Sequence, residues 1–269
     1  MRQAALLATL VALPLAWWAP ARAACAADTV ALRAGVLDSR WNEHDAEGRR
    51  LLREQGRLPA ATLAVGGACG AWLAELSWRH AAGQRDYEGF SNRGAAVQTD
   101  SRLRLNEWTL TLQRPLLEGL KLGLRAQRQE TRRELVSTGK VLGYPELHRH
   151  WVYGLGALAE GAAWGESSWH FGVWLGGGPG ASVRIDLPTA DPVRLKPGTM
   201  RQAELQGQWL SAPWGLGWRT SLGLRWRAER IGAGEVATLW RQGVAVGGAL
   251  QPRHELRSVG LEAGVLRSF

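Results

Sequence analysis

Alternation of side-chain character with a period of two is the feature that most constrains the fold of this chain. Between residues 216 and 228, one face carries Leu216, Trp218, Thr220, Leu222, Leu224 and Trp226. The opposite face carries Gly217, Arg219, Ser221, Gly223, Arg225 and Arg227. Successive side chains point to opposite faces in an extended strand. The pattern therefore predicts β-strands that are largely apolar on one side and charged on the other.

The first 23 residues have the three parts of a secretory signal peptide. Arg2 supplies a positive start, residues 4–18 form an apolar run, and Ala21-Arg22-Ala23 is a small-x-small cleavage signal. The apolar run is shorter than the roughly 18 to 20 residues of a spanning helix. We therefore predict a signal peptide over 1–23 and one β domain over 24–269.

Composition excludes several classes of protein. After residue 23, no uninterrupted apolar run reaches the length of a membrane helix, which excludes a helical membrane protein. The formal net charge is +9, but no helical basic stripe or RNA-binding motif accompanies it, so no nucleic-acid partner is predicted. The sequence has no Gly-rich phosphate loop and no zinc-spaced Cys and His, so neither a cofactor nor a metal ion is predicted.

The last fifteen residues, Glu255–Phe269, end the chain on a strand of the same kind. Its apolar face carries Val259, Leu261, Ala263, Val265 and Phe269. A strand with this pattern and an aromatic carboxyl terminus resembles the closing strand of bacterial outer-membrane β-barrels. The resemblance implies an all-β, antiparallel transmembrane β-barrel in the outer membrane of a Gram-negative bacterium, with short periplasmic turns and long external loops. It also implies that the barrel assembly machinery recognises the terminal strand.

Short corners and longer polar segments divide the chain into hairpins. The corners lie at 115–119, 161–165 and 211–215, and the last two share an Ala-Ala/Pro-Trp-Gly pattern. The polar or Gly- and Pro-rich segments predict external loops over 43–59, 81–99 and 176–200.

The strand count has three possible values. Counting every candidate gives eleven strands, whereas bacterial single-chain barrels have an even number. Placing Val236–Gly248 in the last external loop leaves ten, the number we favour. Eight follow if residues 61–80 form one kinked strand and the chain before them stays outside the barrel. Twelve follow if a further strand lies within 181–195.

With the apolar faces turned to lipid, the opposite faces bring charges into the lumen. The predicted lumen charge network consists of Glu75, Arg79, Glu107, Lys121, Arg125, Glu204, Arg219, Arg225, Arg227 and Glu262. Unpaired charges in a narrow interior are costly, so these side chains are expected to pair or to face water. One interpretation is an ion-paired plug. The other is a narrow passage that prefers anions because of its excess arginine.

Tryptophan and arginine residues predict contacts with outer-membrane lipids. Trp is abundant at 15 residues, and aromatic side chains gather at membrane interfaces. The predicted interface aromatics are Trp72, Trp78, Trp108, Trp169, Trp218, Trp226 and Phe269. The densest basic segment is predicted to be an external loop that docks lipopolysaccharide phosphates, because Arg grips phosphate with paired donors. Its residues are Arg128, Arg132, Arg133 and Lys140.

No catalytic set is predicted, although some small outer-membrane barrels are lipid-modifying enzymes or proteases. Such an enzyme needs a nucleophile or an activated water beside a base. His170 follows Ser168 but lacks the His-x-Ser spacing of the outer-membrane lipid hydrolases. Glu43-His44-Asp45, at the start of a loop, is a candidate acid and base pair, with a solvated charge cluster as the alternative. His148-Arg149-His150, at an external rim, is a candidate metal or phosphate site.

Cys25 and Cys69 are the two cysteines of the chain, and two outcomes are open for them. Cleavage after Ala23 keeps both and permits a periplasmic disulfide, whereas cleavage after Ala26 leaves Cys69 alone as a small buried residue.

The leading functional prediction is a non-enzymatic envelope barrel with a charged, largely plugged lumen, or with a narrow anion-preferring passage. One alternative is a barrel enzyme that acts on lipid A, phospholipid or peptides at its external rim. The other is a soluble periplasmic barrel that binds an apolar ligand, which requires the Trp and Leu faces to point inward.

Overall fold

The computed structural model describes residues 25–90, 94–139 and 141–269, and the predicted signal peptide, 1–23, lies outside these residues. Ten strands are long: β1 (Cys25–His44), β2 (Arg50–Cys69), β3 (Trp72–Phe90), β4 (Ala96–Leu117), β5 (Leu120–Leu135), β6 (Pro145–Ala162), β7 (Ser168–Gly178), β10 (Met200–Leu210), β11 (Trp218–Ile231) and β14 (Arg253–Ser268). Four strands are shorter: β8 (Ser182–Ile185), β9 (Val193–Leu195), β12 (Ala237–Arg241) and β13 (Val244–Ala249). The described residues contain no helix long and apolar enough to cross a membrane.

The ten long strands form a closed antiparallel barrel. Around the wall the order is β1, β2, β3, β4, β5, β6, β7, β10, β11 and β14, and β14 pairs with β1 to close the ring. Closure leaves none of these strands with a free edge, which a wall in lipid requires because lipid offers no hydrogen-bond partners. The predicted fold class and the favoured count of ten strands are confirmed.

The two ends of the barrel differ in how the strands are joined. At one end, which we call the turn end, short connections join β2 to β3, β4 to β5, β6 to β7 and β10 to β11. Gly70 and Gly119 adopt φ values of 62° and 72° in the two tightest turns, a conformation that favours glycine. The other end, which we call the loop end, carries the longest connections. In outer-membrane barrels the short turns face the periplasm.

Two of the predicted external loops are wrong. Most of 43–59 and 81–99 is strand, because β2 begins at Arg50 and β3 continues to Phe90. Their outward side chains are polar because this part of the wall projects into water. Polar outward residues therefore do not distinguish such a strand from a loop.

The other two predicted external segments are long connections that carry hairpins of their own. Within 176–200, β8 pairs with β9 and with the loop-end part of β6, so 181–195 adds no strand to the barrel wall. Val236–Gly248 lies in the last loop-end connection, as predicted, where β12 pairs with β13.

An apolar band surrounds the outside of the barrel in its turn-end half. Its exposed aliphatic residues include Leu32, Val36, Leu63, Val65, Leu76, Leu110, Leu122, Leu124, Leu155, Leu175, Leu222, Leu224 and Leu261. A continuous apolar surface of this size suits lipid and is unfavourable in water. The soluble-barrel alternative requires these faces to point inward, and they point outward.

Toward the loop end the polarity of the wall reverses. On β4, Leu103 and Leu105 are buried in the lumen, while Arg102 and Arg104 face outward and are exposed. The buried apolar cluster inside consists of Leu37, Leu58, Ala60, Ala81, Leu103 and Leu105. An apolar interior with a charged exterior is typical of a barrel surrounded by water. This half of the wall therefore extends beyond the apolar band.

A disulfide joins Cys25 to Cys69 at the turn end and links β1 to β2. The bridge closes a covalent loop between residues separated by 44 positions in the sequence. Such a cross-link stabilises the fold mainly by reducing the conformational entropy of the unfolded chain.

We predict that Cys69→Ser lowers the free energy of unfolding by up to about 4 kcal/mol, the value expected for a loop of this length. The measurement is a urea titration of the refolded protein in detergent, with the folded fraction read from its heat-modifiable migration. Reduction of the wild type should lower the urea midpoint equally and leave the variant unchanged. A wild-type midpoint that does not respond to reduction contradicts the prediction.

Candidate functional site

Polar side chains in the lumen form three groups at successive levels along the barrel. The central charge cluster consists of Arg79, Glu107, Arg125, Glu204, Arg225, Arg227, Glu229 and Glu262. The loop-side charge cluster consists of Glu43, Glu54, Arg85, Arg133, Glu146 and His148. The turn-side polar cluster consists of Lys121, Glu160, Ser168, His170 and Arg219.

Arg227 on β11 is the centre of the central charge cluster. Its Nη1 donates to Glu107 Oε2 at 2.5 Å, and its Nη2 donates to Glu107 Oε1 at 3.0 Å. Its Nε donates to Glu204 Oε2 at 2.8 Å. Glu107 and Glu204 retain only 2% and 0% exposure. Because a buried carboxylate is stable only when it is paired and hydrogen-bonded, the three side chains depend on one another.

The contact between Arg227 and Glu107 crosses the lumen. β11 and β4 lie five positions apart in the closed ring of ten strands, so they are on opposite sides of the barrel. Arg225, two residues before Arg227, donates to the same Glu107 at 3.2 Å. Side chains that meet between opposite strands occupy the middle of the lumen at this level.

Arg125 fills the part of the lumen beside β7 and β10. Its Nη1 donates to Glu204 Oε1 at 2.7 Å, and its guanidinium lies 3.8 Å from the centroid of the Trp174 ring. Gly123 and Gly156 make room for that indole, because a Cβ on either would lie 2.4 Å from a ring atom. A cation over a Trp face is attracted by the ring. Trp174 therefore positions Arg125 as well as filling space.

Arg79 and Glu262 occupy the region between β3 and β14. Arg79 Nη2 donates to Glu262 Oε1 at 2.5 Å, and the Thr62 hydroxyl donates to the same oxygen at 3.2 Å. A Cβ at Gly260 would lie 3.0 Å from Arg79 Nη2, so the absence of a side chain there gives the guanidinium space.

Arg133 is the centre of the loop-side charge cluster. Its Nε donates to Glu54 Oε1 at 2.7 Å, and its Nη1 donates to Glu146 Oε2 at 2.7 Å. Glu54 also accepts a hydrogen bond from Ser101 at 3.0 Å and lies 3.7 Å from Arg85. All five side chains are buried, so they form a second layer of paired charge across the lumen.

Aromatic rings enclose Arg133. Its guanidinium lies 6.0 Å from the ring centroid of Trp41 and 5.9 Å from that of Tyr87. Trp41 stacks on His254 with 4.3 Å between ring centroids. Tyr144, in the connection before β6, packs against the same rings, and burial raises the pKa of its phenol above the usual range.

Between the central charge cluster and the turn end, the lumen widens into a cavity of about 350 Å³. Its basic lining residues are Arg33, Lys121, Arg125 and Arg225. Its acidic lining residues are Asp28, Glu75, Glu160 and Glu262. With four residues of each sign, the cavity wall carries no excess of positive charge.

All ten residues of the predicted lumen charge network face the lumen. Eight contact an oppositely charged side chain within 4 Å, and the exceptions are Glu75 and Arg219. Glu75 lines the cavity. Arg219 contacts the Ser168 hydroxyl and the Glu166 carbonyl oxygen instead of a carboxylate. The sequence reasoning missed Glu54, Arg85 and Glu146, whose parts of the strands were assigned to loops or left unassigned.

The four predicted lipopolysaccharide residues do not form one surface. Arg128 and Arg132 face outward on β5 and are exposed. The prediction is wrong for Arg133, which retains 2% exposure and lies inside the lumen, because β5 continues through this segment and alternate residues face opposite sides. Lys140 lies outside the described residues.

The predicted interface aromatics lie on the outer surface, at the same outward-facing strand positions as the residues of the apolar band. They are Trp72, Trp78, Trp108, Trp169, Trp218, Trp226 and, at the chain end, Phe269. Trp78 and Trp108 lie side by side on neighbouring strands, with 6.2 Å between ring centroids. Trp41 and Trp174 instead occupy inward-facing strand positions and fill the lumen.

The candidate sites at the external rim do not assemble. Glu43 is buried in the lumen, whereas His44 follows it on the outward face of β1. His148 and His150 are buried inside, and Arg149 between them faces outward. Within residues 25–90, 94–139 and 141–269, no group of three His, Cys, Asp or Glu side chains is arranged to hold a metal ion.

One solved structure with a similar fold is a bacterial outer-membrane protein. The outer membrane protease OmpT from Escherichia coli has a TM-score of 0.60 and 14% identity, over 90% of this chain and 97% of that one. The translocator domain of the autotransporter NalP from Neisseria meningitidis has a TM-score of 0.43 and 9% identity, over 90% and 89% of the two chains. No protein-family model and no curated protein matches the sequence. The similarity to the protease establishes the fold alone.

We predict that Arg227→Ala lowers the free energy of unfolding by about 3 to 5 kcal/mol, because it leaves Glu107 and Glu204 buried without their main partner. Arg230→Ala is the matched control on the same strand. Arg230 faces outward, its side chain is 58% exposed, and it lies 3.8 Å from Glu255. Its loss should cost less than about 1 kcal/mol. Equal shifts of the urea midpoint in the two variants contradict the prediction.

Proposed function

We propose that this protein is an integral outer-membrane β-barrel of the bacterial cell envelope whose lumen is closed by ion pairs. The observation that carries the proposal is the buried contact of Arg227 with Glu107, which joins opposite strands through the middle of the lumen. The layer around Arg133 forms a second barrier nearer the loop end.

The location follows from the outer surface and the fold. The apolar band supports insertion into a bilayer, and the fold shared with outer-membrane barrels supports the outer membrane. Cleavage of residues 1–23 after export and recognition of the strand ending at Phe269 by the barrel assembly machinery belong to the same proposal.

The balance of charge favours a closed barrel over an anion-preferring passage. The basic members of the central charge cluster are Arg79, Arg125, Arg225 and Arg227, and the acidic members are Glu107, Glu204, Glu229 and Glu262. Anion-selective pores instead present basic side chains without matching acids. The cavity on the turn side is balanced in the same way.

We expect the refolded wild type to give no ion-conducting steps in a planar bilayer. The quadruple variant Glu107→Ala/Arg227→Ala/Glu54→Ala/Arg133→Ala removes the main ion pair of each barrier without changing net charge, and it should produce conducting steps. The matched control is Arg230→Ala/Glu255→Ala, a pair on the outer face of the wall, which should stay silent. Heat-modifiable migration verifies folding of each protein. Stable anion-selective steps from the wild type overturn the closed-lumen proposal.

The outer surface also supports a lipopolysaccharide partner. The outer arginine patch consists of the exposed, outward-facing Arg102, Arg104, Arg128, Arg132 and Arg149 on β4, β5 and β6. Arg104 lies directly opposite Arg132 in the strand register. Like charges in such a pair are unfavourable unless an anion lies between them. Glu130 offsets part of this repulsion, since it lies 3.3 Å from Arg132 and 2.9 Å from Arg149, and it is one carboxylate beside five arginines.

The height of the outer arginine patch fits the phosphates of that lipid. Arg128 lies 5.9 Å from the ring centroid of Trp151, and Trp108 is its cross-strand neighbour. Trp108 and Trp151 border the loop-end side of the apolar band, so the patch begins where the outer leaflet meets water. Arginine provides paired donors for phosphate at that level.

We predict that Arg104→Ala/Arg132→Ala weakens binding of lipopolysaccharide to the refolded protein about tenfold, equivalent to about 1.4 kcal/mol. The matched control is Arg201→Ala/Arg257→Ala, which removes two outward arginines from other strands. Binding is measured by calorimetric titration in detergent, with dephosphorylated lipid as a second ligand. Equal affinities of the two variants, or equal binding of the dephosphorylated lipid, contradict a phosphate site at this patch.

A further inference from the structure

In the turn-side polar cluster, a serine contacts a histidine, and the histidine contacts a glutamate. Ser168 Oγ lies 3.4 Å from His170 Nε2, and His170 Nδ1 lies 3.4 Å from Glu160 Oε2. Ser168 and His170 are two residues apart on β7, so both face the lumen, and Glu160 is the cross-strand partner of His170 on β6. The backbone of two adjacent strands therefore fixes the order of the three groups.

A basic side chain contacts each end of the row formed by Ser168, His170 and Glu160. Lys121 Nζ donates to Glu160 Oε2 at 2.6 Å, which holds that carboxyl group beside His170. Arg219 Nη1 donates to Ser168 Oγ at 3.3 Å, and its Nη2 donates to the Glu166 carbonyl oxygen at 2.8 Å. A hydroxyl can accept from one neighbour and donate to another. Ser168 can therefore accept from Arg219 and donate its proton toward His170.

The row is open to a small molecule. The side chains of His170 and Glu160 are 37% and 34% exposed, unlike the buried members of the other two clusters. Both residues line the cavity of about 350 Å³ on the turn side of the central charge cluster, and Ser168 lies outside this lining, in contact with His170. The central charge cluster bounds this cavity on its loop-end side, so ligands approach from the turn end.

We propose that Ser168, His170 and Glu160 form a hydrolytic site for small carboxylic esters at the turn end of the lumen. A nucleophile within hydrogen-bond reach of a base, which is in turn oriented by a carboxylate, is the arrangement that activates a serine hydroxyl. This activity goes beyond the sealed-barrel function and does not depend on it.

The reaction proceeds through an acyl-serine intermediate. Ser168 Oγ bonds to the ester carbonyl carbon, its proton passes to His170 Nε2, and the carbonyl electron pair moves onto oxygen. That proton then passes to the alcohol oxygen as the carbon–oxygen bond of the ester breaks. Water attacks the acyl carbon in the same way, and the bond to Ser168 Oγ breaks as the oxygen regains a proton. One ester and one water give one carboxylic acid and one alcohol.

Arg219 and Glu160 assist the two charged stages. The guanidinium of Arg219, anchored on the Glu166 carbonyl and 3.3 Å from Ser168 Oγ, places positive charge beside the tetrahedral centre that forms on attack. Glu160 holds Nδ1 of His170 as the protonated nitrogen and stabilises the ring when it becomes positive.

The cavity restricts the substrate to small esters. Leu158, Leu210 and Leu266 supply apolar lining near the row, which suits an apolar acyl chain. The volume of about 350 Å³ admits a short chain and excludes the several long chains of an intact membrane lipid.

The test is covalent labelling of the refolded full-length protein with a fluorophosphonate, followed by peptide mass mapping. We expect an adduct on Ser168 that is absent after heat denaturation. Hydrolysis of p-nitrophenyl butyrate should fall at least about 100-fold in Ser168→Ala or His170→Ala and about tenfold in Glu160→Gln. Ser221→Ala removes another inward serine and should retain full labelling and turnover.

A second variant pair tests the contact of residue 168 with His170 without relying on turnover. Ser168→Cys should react with iodoacetamide about tenfold faster than Ser168→Cys/His170→Ala, because His170 withdraws the thiol proton. Equal rates in two heat-modifiable, folded variants overturn the proposal. A folded wild type that gives no adduct on Ser168 also overturns it. A conducting wild-type lumen would overturn the closed-barrel function and leave this site intact.

Discussion

The cost of burying charge in a narrow lumen determines how this barrel is built. Arg227 is tolerable inside only because Glu107 reaches it from the opposite strand and Glu204 from the neighbouring one. Each carboxylate needs the arginine equally, so the pairs fix the distance across the barrel as well as its charge. The backbone hydrogen bonds of the strands alone do not determine how side chains pack inside the lumen. The ion pairs make the interior specific and join strands that share no backbone hydrogen bonds.

The second constraint is the medium outside the wall, which changes along the barrel. Beside lipid, the outer residues are leucine and tryptophan, and the charges must lie inside. Beside water, arginine moves to the outer face and leucine to the inner one, as Arg104 and Leu105 show on consecutive positions of β4. Arg85 and Arg133 are exceptions at that level. Arg85 lies 3.7 Å from Glu54, and Arg133 is enclosed by two glutamates and two aromatic rings.

The sequence predicted most of the fold and only part of the site, for one physical reason. A period of two identifies which residues share a face, so the outward Trp108 and the inward Arg225 could be assigned from the pattern. The period does not indicate whether a face contacts lipid, water or the lumen. Arg133 was consequently assigned to an external loop, since a charged strand in water has the composition of a loop. Pairing across the lumen, as between Arg227 and Glu107, depends on which strands end up opposite. Local sequence carries no signal of that arrangement.

The same closure divides the molecule into two compartments that can act independently. The Arg227 layer separates the loop-end part of the lumen from the cavity beside His170, which lies on its turn side. A ligand in one compartment cannot displace a group in the other without breaking buried ion pairs, each of which costs several kcal/mol to leave unpartnered. The proposed lipid contact on the outer face and the proposed chemistry at the turn end therefore do not compete for the lumen. A sealed barrel can hold a reactive serine on one side of the membrane without opening a path to the other.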